Sequence, residues 1–559
     1  MNLPRARSVV DWGSSLVSGQ HLLRSAAQKR SERLALLLSK AGVVGNPYSI
    51  CARTLFNSLL ALAVASPSAV ILSVYVWPPL LLLALSPAVV YLAPELILKD
   101  RVSQRREGVD RELPFFSILV NVLGSAGVSL YSVLIGTIGS KSFPCIRKEA
   151  LLVKRDVEVF GSDPNEALDR LGSSHPSRRF GTFLGGYTSK VRSGGDIPAY
   201  LTGESGFLLR GLEEDWSRYA SRAGTVGSTM VTVFGLLPLL IMIVGVFSSG
   251  ASVTGLIYFT ALGVPFFTVL LVYMAGRMQP VGELGPSGNL LYGLGAAAVG
   301  VAVSVLAGQV WITVATGLFL FLFVYGLSVG KEIRITREVD EALPEFLKDL
   351  LEFKRQEYDL TKSLLNISSH NRYNPTFDAI VSKVALQLKA GTPIDELKID
   401  PKTRLGRLVF LVLGQMGHSG GGTVDTVYQL CAYTSKAVEM KRNTMAEMKP
   451  YIILSYVSPI LLAFGVAFVS GVLRSYASQA TPGESALRLT GFSGAMTPLV
   501  SEASSILIVV SAAALGIIAA KMTDFTVRNT LRPCLNVLVA VAAILVLSSV
   551  GLQSLHILP

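Results

Sequence analysis

Nine apolar stretches, each near the length of a helix that crosses a bilayer, dominate this sequence. They fall at 54–73, 75–97, 228–248, 253–275, 291–308, 310–329, 450–473, 503–520 and 534–552. A hydrocarbon core of roughly 30 Å takes about 20 helical residues at about 1.5 Å each. Lipid offers no partner to a backbone N–H or C=O, so each stretch must close its hydrogen bonds within itself as a helix. Composition agrees: 16% of the 559 residues are charged, and the mean hydropathy is +0.51, against about 25% charged in a soluble chain. The expected fold is all-α, a polytopic membrane protein with about nine transmembrane helices.

Lys and Arg set the expected orientation, because basic residues flanking spans stay on the cytoplasmic side. Placing 1–53, 98–227, 276–290, 330–449 and 521–533 inside leaves only Arg474 and Arg488 of the 50 basic residues outside. The signal holds beside the spans: Lys99, Arg101, Arg105, Arg106 and Arg111 follow the second, and Lys436, Lys441, Arg442 and Lys449 precede the seventh. The opening MNLPRARSVV lacks an apolar core before a cleavage site, so no removable signal peptide is expected. The expected plan is a cytoplasmic region (1–53), spans (54–97), a first cytoplasmic helical domain (98–227), spans (228–329), a second such domain (330–449) and spans (450–559). The basic stretch QKRSERLALLLSKAGV before the first span fits a helix on the inner membrane surface and a plain soluble helix equally.

The two long loops read as copies. DRELPFFSILVNVLGSAGVSLYSVL in the first answers DEALPEFLKDLLEFKRQEYDLTKSLL in the second, with Leu113-Pro114 matching Leu343-Pro344 at an offset of 230. RSGGDIPAYL (192–201) answers HSGGGTVDTVYQL (418–430) at an offset of 226. Helical spacing predicts a core stripe of Phe115, Ile118, Leu119, Val122 and Leu123 in one copy and of Leu343, Phe346, Leu347, Leu350 and Leu351 in the other. Gly194, Gly195, Gly420 and Gly421 are expected to turn the chain back after a helix, since glycine tolerates the left-handed region.

Several chemistries have no residues to carry them. No G-x-x-x-x-G-K-[ST] occurs, so any ATP-driven work falls to another protein. The spans contain no ionisable residue except Glu95 near one end, which weighs against ion-coupled transport and proton pumping. The four cysteines and five histidines lack metal-ligand spacing, and no nucleophile–base set stands out, so no metal, cofactor or catalytic residue is expected. Ser193-Gly194-Gly195-Asp196 differs from the GxGD signature of intramembrane aspartyl proteases at its first position and lies outside the spans.

This plan resembles the type II secretion F-domain family, the platform proteins of type II secretion and type IV pili, especially archaeal pilus and archaellum (FlaJ/ArlJ-like) members. The resemblance rests on the Leu-Pro opening helix, GVSLYSVL (127–134), the two glycine turns and LLLSKAGV (36–43), and covers most of 30–475. The second copy departs from it at EFKRQEYDLTKSLL, where Gly is replaced. The resemblance implies a cell-membrane assembly platform whose partners are a cytoplasmic hexameric secretion ATPase, pilin-like or archaellin subunits, membrane lipid and a second copy of the chain in a homodimer. A transporter or channel subunit with regulatory domains is the alternative. Candidate docking residues are the basic Arg105, Arg106, Arg178, Arg179, Lys190, Arg192, Lys354, Arg355, Lys441 and Arg442, with acidic Asp340, Glu341, Glu345 and Asp349 as an alternative face. Nucleic acid is not an expected partner, because acidic residues nearly balance the basic ones in the loops and no aromatic–basic pattern accompanies them. Gly293, Gly295 and Gly300 are expected to permit close helix packing in the fifth span.

Overall fold

In the computed structural model of the chain, every described element is helical, as the apolar periodicity requires. The structure describes residues 21–42, 46–75, 86–139, 142–247, 255, 257–279, 289–305, 308–418, 423–479 and 497–549. Five helical stretches are long and apolar enough to cross a membrane: Ile197–Ile241, Phe259–Met278, Val310–Arg355, Val424–Val469 and Ser501–Thr523. Leu290–Ser304 and Leu531–Leu547, at the fifth and ninth expected spans, are apolar but shorter; 15 residues reach only about 22 Å. The first expected span lies in the helix Pro47–Tyr75, and much of the second falls at 76–85, outside the described residues. The expected count of nine therefore stands at five among the described residues.

The chain divides at Leu208 into two units. In the first, α1 (His21–Ala41), α2 (Pro47–Tyr75) and the early part of α3 (Ser86–Ser125) share a core of Leu34, Leu38, Cys51, Ala52, Leu55 and Leu98. The basic N-terminal stretch is thus a helix packed through its leucines on α2 and α3. The later part of α3 is the axis of a helical module that continues through α4 (Leu130–Gly136), α5 (Pro144–Glu158), α6 (Pro164–Ser174), α7 (Arg178–Ser193) and the start of α8 (Ile197–Val231). Ile118, Leu119, Val122 and Leu123 are buried as expected, but the aromatic at the heart of the module is Phe116, not the half-buried Phe115. Phe116 meets Phe143 and Phe183 edge-on at 5.9 and 6.3 Å. Since α3 is covered on several sides, its buried surface is wider than a single stripe.

Short-range chemistry sets the ends of these helices. Asp163 caps α6 by accepting from the N–H groups of Asn165 and Glu166, and the Ser177 hydroxyl oxygen caps α7 at Phe180 N–H, 3.0 Å away. The N-terminus of α5 is capped from another helix: the buried Glu112 carboxylate on α3 accepts the N–H groups of Cys145 and Ile146. Gly194 ends α7 in the left-handed region at φ 63°, as expected; Gly195 returns its N–H to Lys190 C=O at 2.9 Å. Asp196 then accepts Ala199 N–H and opens α8. The Ser-Gly-Gly-Asp string is thus a helix stop followed by a helix start. Gly420 and Gly421 lie outside the described residues.

The second unit holds the remainder of α8, α9 (Leu237–Phe247), α10 (Val264–Met278), α11 (Leu290–Ser304), α12 (Val310–Arg355), α13 (Leu360–His370), α14 (Pro375–Lys389), α15 (Arg404–His418), α16 (Val424–Gln479), α17 (Thr497–Thr523) and α18 (Leu531–Ser549). α17 is its centre, packing against α16 and α18 through Leu462, Ala463, Val466, Ile508, Ala512 and Ala540. α11 and α12 pair closely, Gly293 lying beside Phe321 and Tyr325 and Gly300 beside Leu320, whereas Gly295 faces open space.

Within this unit, α12 to α16 repeat the element order from α3 to α8. Phe346, 230 positions after Phe116, is likewise ringed by aromatics, with Phe377 at 5.3 Å and Phe410 at 6.1 Å. Leu343, Phe346, Leu347, Leu350 and Leu351 are all buried, as expected. The copies differ at α6, whose counterpart is only a short 3₁₀ turn, Ile394–Glu396. They differ also at the turn before α4 and α13. Gly127 has φ 83° in the first copy, and Glu357, 230 positions on, is held at φ 64° in the second. A side chain in that region costs about 1–2 kcal/mol. Glu357→Gly is therefore expected to raise stability by up to about 1 kcal/mol after the entropy of the unfolded glycine is deducted. Thermal unfolding of the variant beside the parent checks this.

Candidate functional site

The ten basic docking candidates do not form one surface. Arg105 is taken out of the set. Its guanidinium is 14% exposed and grips Glu149 on α5, Nε to Oε1 at 2.8 Å and Nη2 to Oε2 at 2.5 Å, while Nη1 donates to Lys40 C=O. Its neighbour Arg106 points outward, 62% exposed and 3.6 Å from Asp110. Helical geometry explains the split, since adjacent residues on a helix face different directions. Lys441 is also structural, 20% exposed and 2.9 Å from the buried Asp340.

The remaining candidates are accessible to different degrees. Arg178 and Arg179 are exposed on the first turn of α7, and Lys190 and Arg192 on its last. About 20 Å of helix separates the two pairs. Arg192 lies 3.2 Å from Asp169 and, with Gly185, Thr188, Ser189 and Ser193, lines a shallow polar groove of about 340 Å³ between α6 and α7. Lys354 is half-buried, Arg355 pairs with Glu352 at 3.3 Å, and Arg442 is exposed. On the acidic alternative face, Asp340 is buried against Lys441, and Asp349 is occupied by Asn371 and the Tyr373 hydroxyl. Glu341 and Glu345 stay exposed, Glu341 paired with Arg337. Cys51, Cys431 and Cys534 are buried free thiols, and Cys145 is half-buried against Gly108.

Periodicity did not reveal two features. One is the α3–α5 lock. Burial opposes ionisation of Glu149, yet Arg105 and then His175, whose Nε2 is 3.7 Å away, outweigh it and hold the carboxyl below its ordinary range. The other is the connection between α17 and α18. Asp524 there accepts from Arg532 and Asn529, and Phe525, at φ 56°, packs on Trp216 and Tyr219 of α8. Tyr219 donates to Met522 C=O at 3.1 Å, Thr530 to Leu322 C=O of α12 at 2.7 Å, and Lys521 to Gln279 after α10 at 2.8 Å. The outlying signals were the Trp and Tyr on an otherwise polar turn of α8 and the short polar run between two apolar helices.

The sequence comparison bears on the F-domain part of the resemblance. Residues 116–245 match the family of type II secretion system (T2SS), protein F. This F domain begins within α3, includes α4 to α8 and ends in α9. The second copy lies outside the matched segment, and its likeness rests on the offset and the shared element order. A stretch of 157 residues is also 24% identical to an uncharacterized protein of Methanocaldococcus jannaschii, covering 27% of this chain and 26% of that one. The chain thus matches about a quarter of the length of that curated relative. No solved structure matches the chain.

The lock that ties α3 to α5 of the F domain makes a sharp contrast. Removing one partner of a buried pair leaves the other charge uncompensated, so Arg105→Ala is expected to destabilise by about 3–5 kcal/mol. Arg106→Ala, at the surface, is expected to change stability by about 0.5 kcal/mol or less. Because the Glu149 carboxyl titrates lower when folded, its contribution is whole above the ordinary glutamate value of 4.5 and is lost as pH falls through the depressed folded value. Unfolding temperature measured against pH is expected to show a shallower acid limb in Glu149→Gln than in the parent.

Proposed function

We propose that this protein is the integral-membrane platform of an archaeal type IV pilus-like or archaellum assembly machine, with its N-terminus and both helical domains in the cytoplasm. A hexameric cytoplasmic secretion ATPase supplies the energy by pressing on the helical domains, and the platform passes the motion to pilin-like subunits entering the filament. The platform itself carries out no chemistry.

One observation supports this most strongly: apolar and amphipathic segments are joined in single helices. α12 runs 46 residues from its apolar start at Val310 to Arg355 in the second module, and α16 runs 56 residues from Val424 through its apolar half to Gln479. At about 1.5 Å per residue these are rods of about 70 and 84 Å. A load applied to the second module is delivered along both rods toward the bilayer without a flexible joint. The T2SS protein F domain supplies the association with secretion and pilus machinery.

The full chain purified with its secretion ATPase is expected to yield a stable complex. Reversing charge at Arg178 and Arg179 together is expected to weaken capture by about tenfold while leaving unfolding unchanged. Saturable solute flux in vesicles holding the protein alone would instead establish the transporter reading. Protease sites in 98–227 and 330–449 opening on opposite faces of the bilayer would also defeat the platform, since one motor then cannot reach both.

A further inference from the structure

The F domain carries an apolar and basic surface that none of the docking candidates includes. α5 buries Ile146, Glu149, Ala150 and Val153 and turns Arg147, Lys148, Leu151 and Arg155 outward. At its end, Val159 is 70% exposed and Phe160 66%, and Leu151, more than two turns earlier, is 46% exposed. The tip is a built turn. Val159 and Phe160 both direct their N–H groups to Arg155 C=O, Ser162 donates to Asp156 C=O, and Gly161 supplies φ 67°. The Arg155 guanidinium lies 5.5 Å from the centre of the Phe160 ring, so the charge and the aromatic face are presented together. Single exposed apolar residues are ordinary, but an adjacent Val and Phe presented at a helix tip with an arginine against the ring are not.

The position of this tip follows from the pairing of α5 with α3. Glu112 holds Cys145 and Ile146, and Arg105 holds Glu149, so the two helices run antiparallel. From Arg105 back to Ile97 is about 12 Å along α3, and from Glu149 on to Glu158 at the end of α5 is about 14 Å, with Phe160 in the turn just past it. Phe160 therefore reaches the level of Glu95 to Ile97. There α3 exposes Leu92, Leu96 and Ile97, at the end of the second expected span. An aromatic ring and an aliphatic side chain beside Arg155, which shares its guanidinium with Asp156 at 2.8 Å, and Lys154, 3.6 Å from Glu158, match the chemistry of an anionic interface, where apolar groups enter below the headgroups and cations exchange a surface carboxylate for phosphate.

We infer that the tip of α5, Val159 and Phe160 with Arg155, is a membrane anchor that docks the F domain on the anionic surface of the bilayer its own chain spans. This rests on the reading of 75–97 as a span. The anchor and the Arg105–Glu149 lock hold α5 at both levels, so the domain cannot swing freely about the exit of α3.

The test uses the full chain in vesicles of phosphatidylcholine with about 30% phosphatidylglycerol. An environment-sensitive fluorescent amino acid is placed singly at Leu92, at Phe160 or at Ala126, the last about 40 Å further along α3 than Ile97. Lipids bearing a shallow spin label are expected to quench Leu92 and Phe160 by about twofold and Ala126 not at all. Removing phosphatidylglycerol, or introducing Arg155→Glu, is expected to reduce quenching at Phe160 and leave Leu92 unchanged. Quenching at Leu92 without quenching at Phe160 overturns the anchor while the span stands. No quenching at Leu92 overturns the span and the anchor with it. If a water-soluble quencher reaches Phe160 until the ATPase is added, the patch belongs to a protein partner and the lipid assignment fails.

Discussion

Helical continuity across the boundary between apolar and polar sequence is the constraint on which the rest of this structure depends. Within lipid a chain has no choice but to satisfy its backbone internally. Once α12 has formed from Val310, nothing in the sequence ends it before Arg355: no glycine pair interrupts it, and Pro344 is accommodated inside it. The opening Leu-Pro of each module is thus not a helix start but a point along a helix already running. The second module is an extension of the apolar helix α12 rather than a domain hung on a linker, and the core of each module centres on the helix that carries its Leu-Pro, α3 or α12.

The two copies reach the same plan by different local chemistry. In the first, the N-terminus of α5 is capped at a distance by Glu112, and the Arg105–Glu149 pair ties the same two helices together. In the second, alanine stands 230 positions after Glu112, and α14 is capped locally by Asn374, whose side chain accepts from Phe377 N–H and donates to Glu338 C=O. The buried charge in the second copy is instead Asp340 with Lys441, between α12 and α16. Removing a charge therefore loosens α5 in one copy and the long-helix pair in the other.

Much of the fold was legible because it is carried by periodicity. The core positions of α12, the Gly194 turn and the offset between copies are properties of spacing, and spacing is visible in one dimension. Phe115 and Phe116 show the limit: when a helix is covered on several sides, the apolar stripe no longer says which residue is central. The docking candidates show a second limit. Arg105 and Arg106 are identical in sequence terms, and only the arrival of Glu149, 44 residues later, decides that one is internal and the other is not. The second glycine turn, Gly420 and Gly421, lies outside the described residues and stays an expectation.

Prolines in the membrane helices extend this argument from shape to mechanics. Thr232–Leu236 and Phe259–Gly263 are π-helical turns, and each ends two residues before a proline, Pro238 and Pro265. A proline lacks the donor for the carbonyl four residues back and crowds it. The chain answers by widening one turn, so that Leu237 donates to Thr232 C=O and Val264 to Phe259 C=O. Such turns are the softest points of otherwise rigid rods. α8, the rod that carries Trp216 and Tyr219 to the Met522–Phe525 connection, meets its π turn only beyond that contact. The stiff part of α8 is therefore clamped to the α17–α18 connection, and through Thr530 to α12, before the helix becomes compliant. That order passes load from one long helix to another and leaves deformation to the segment past the clamp.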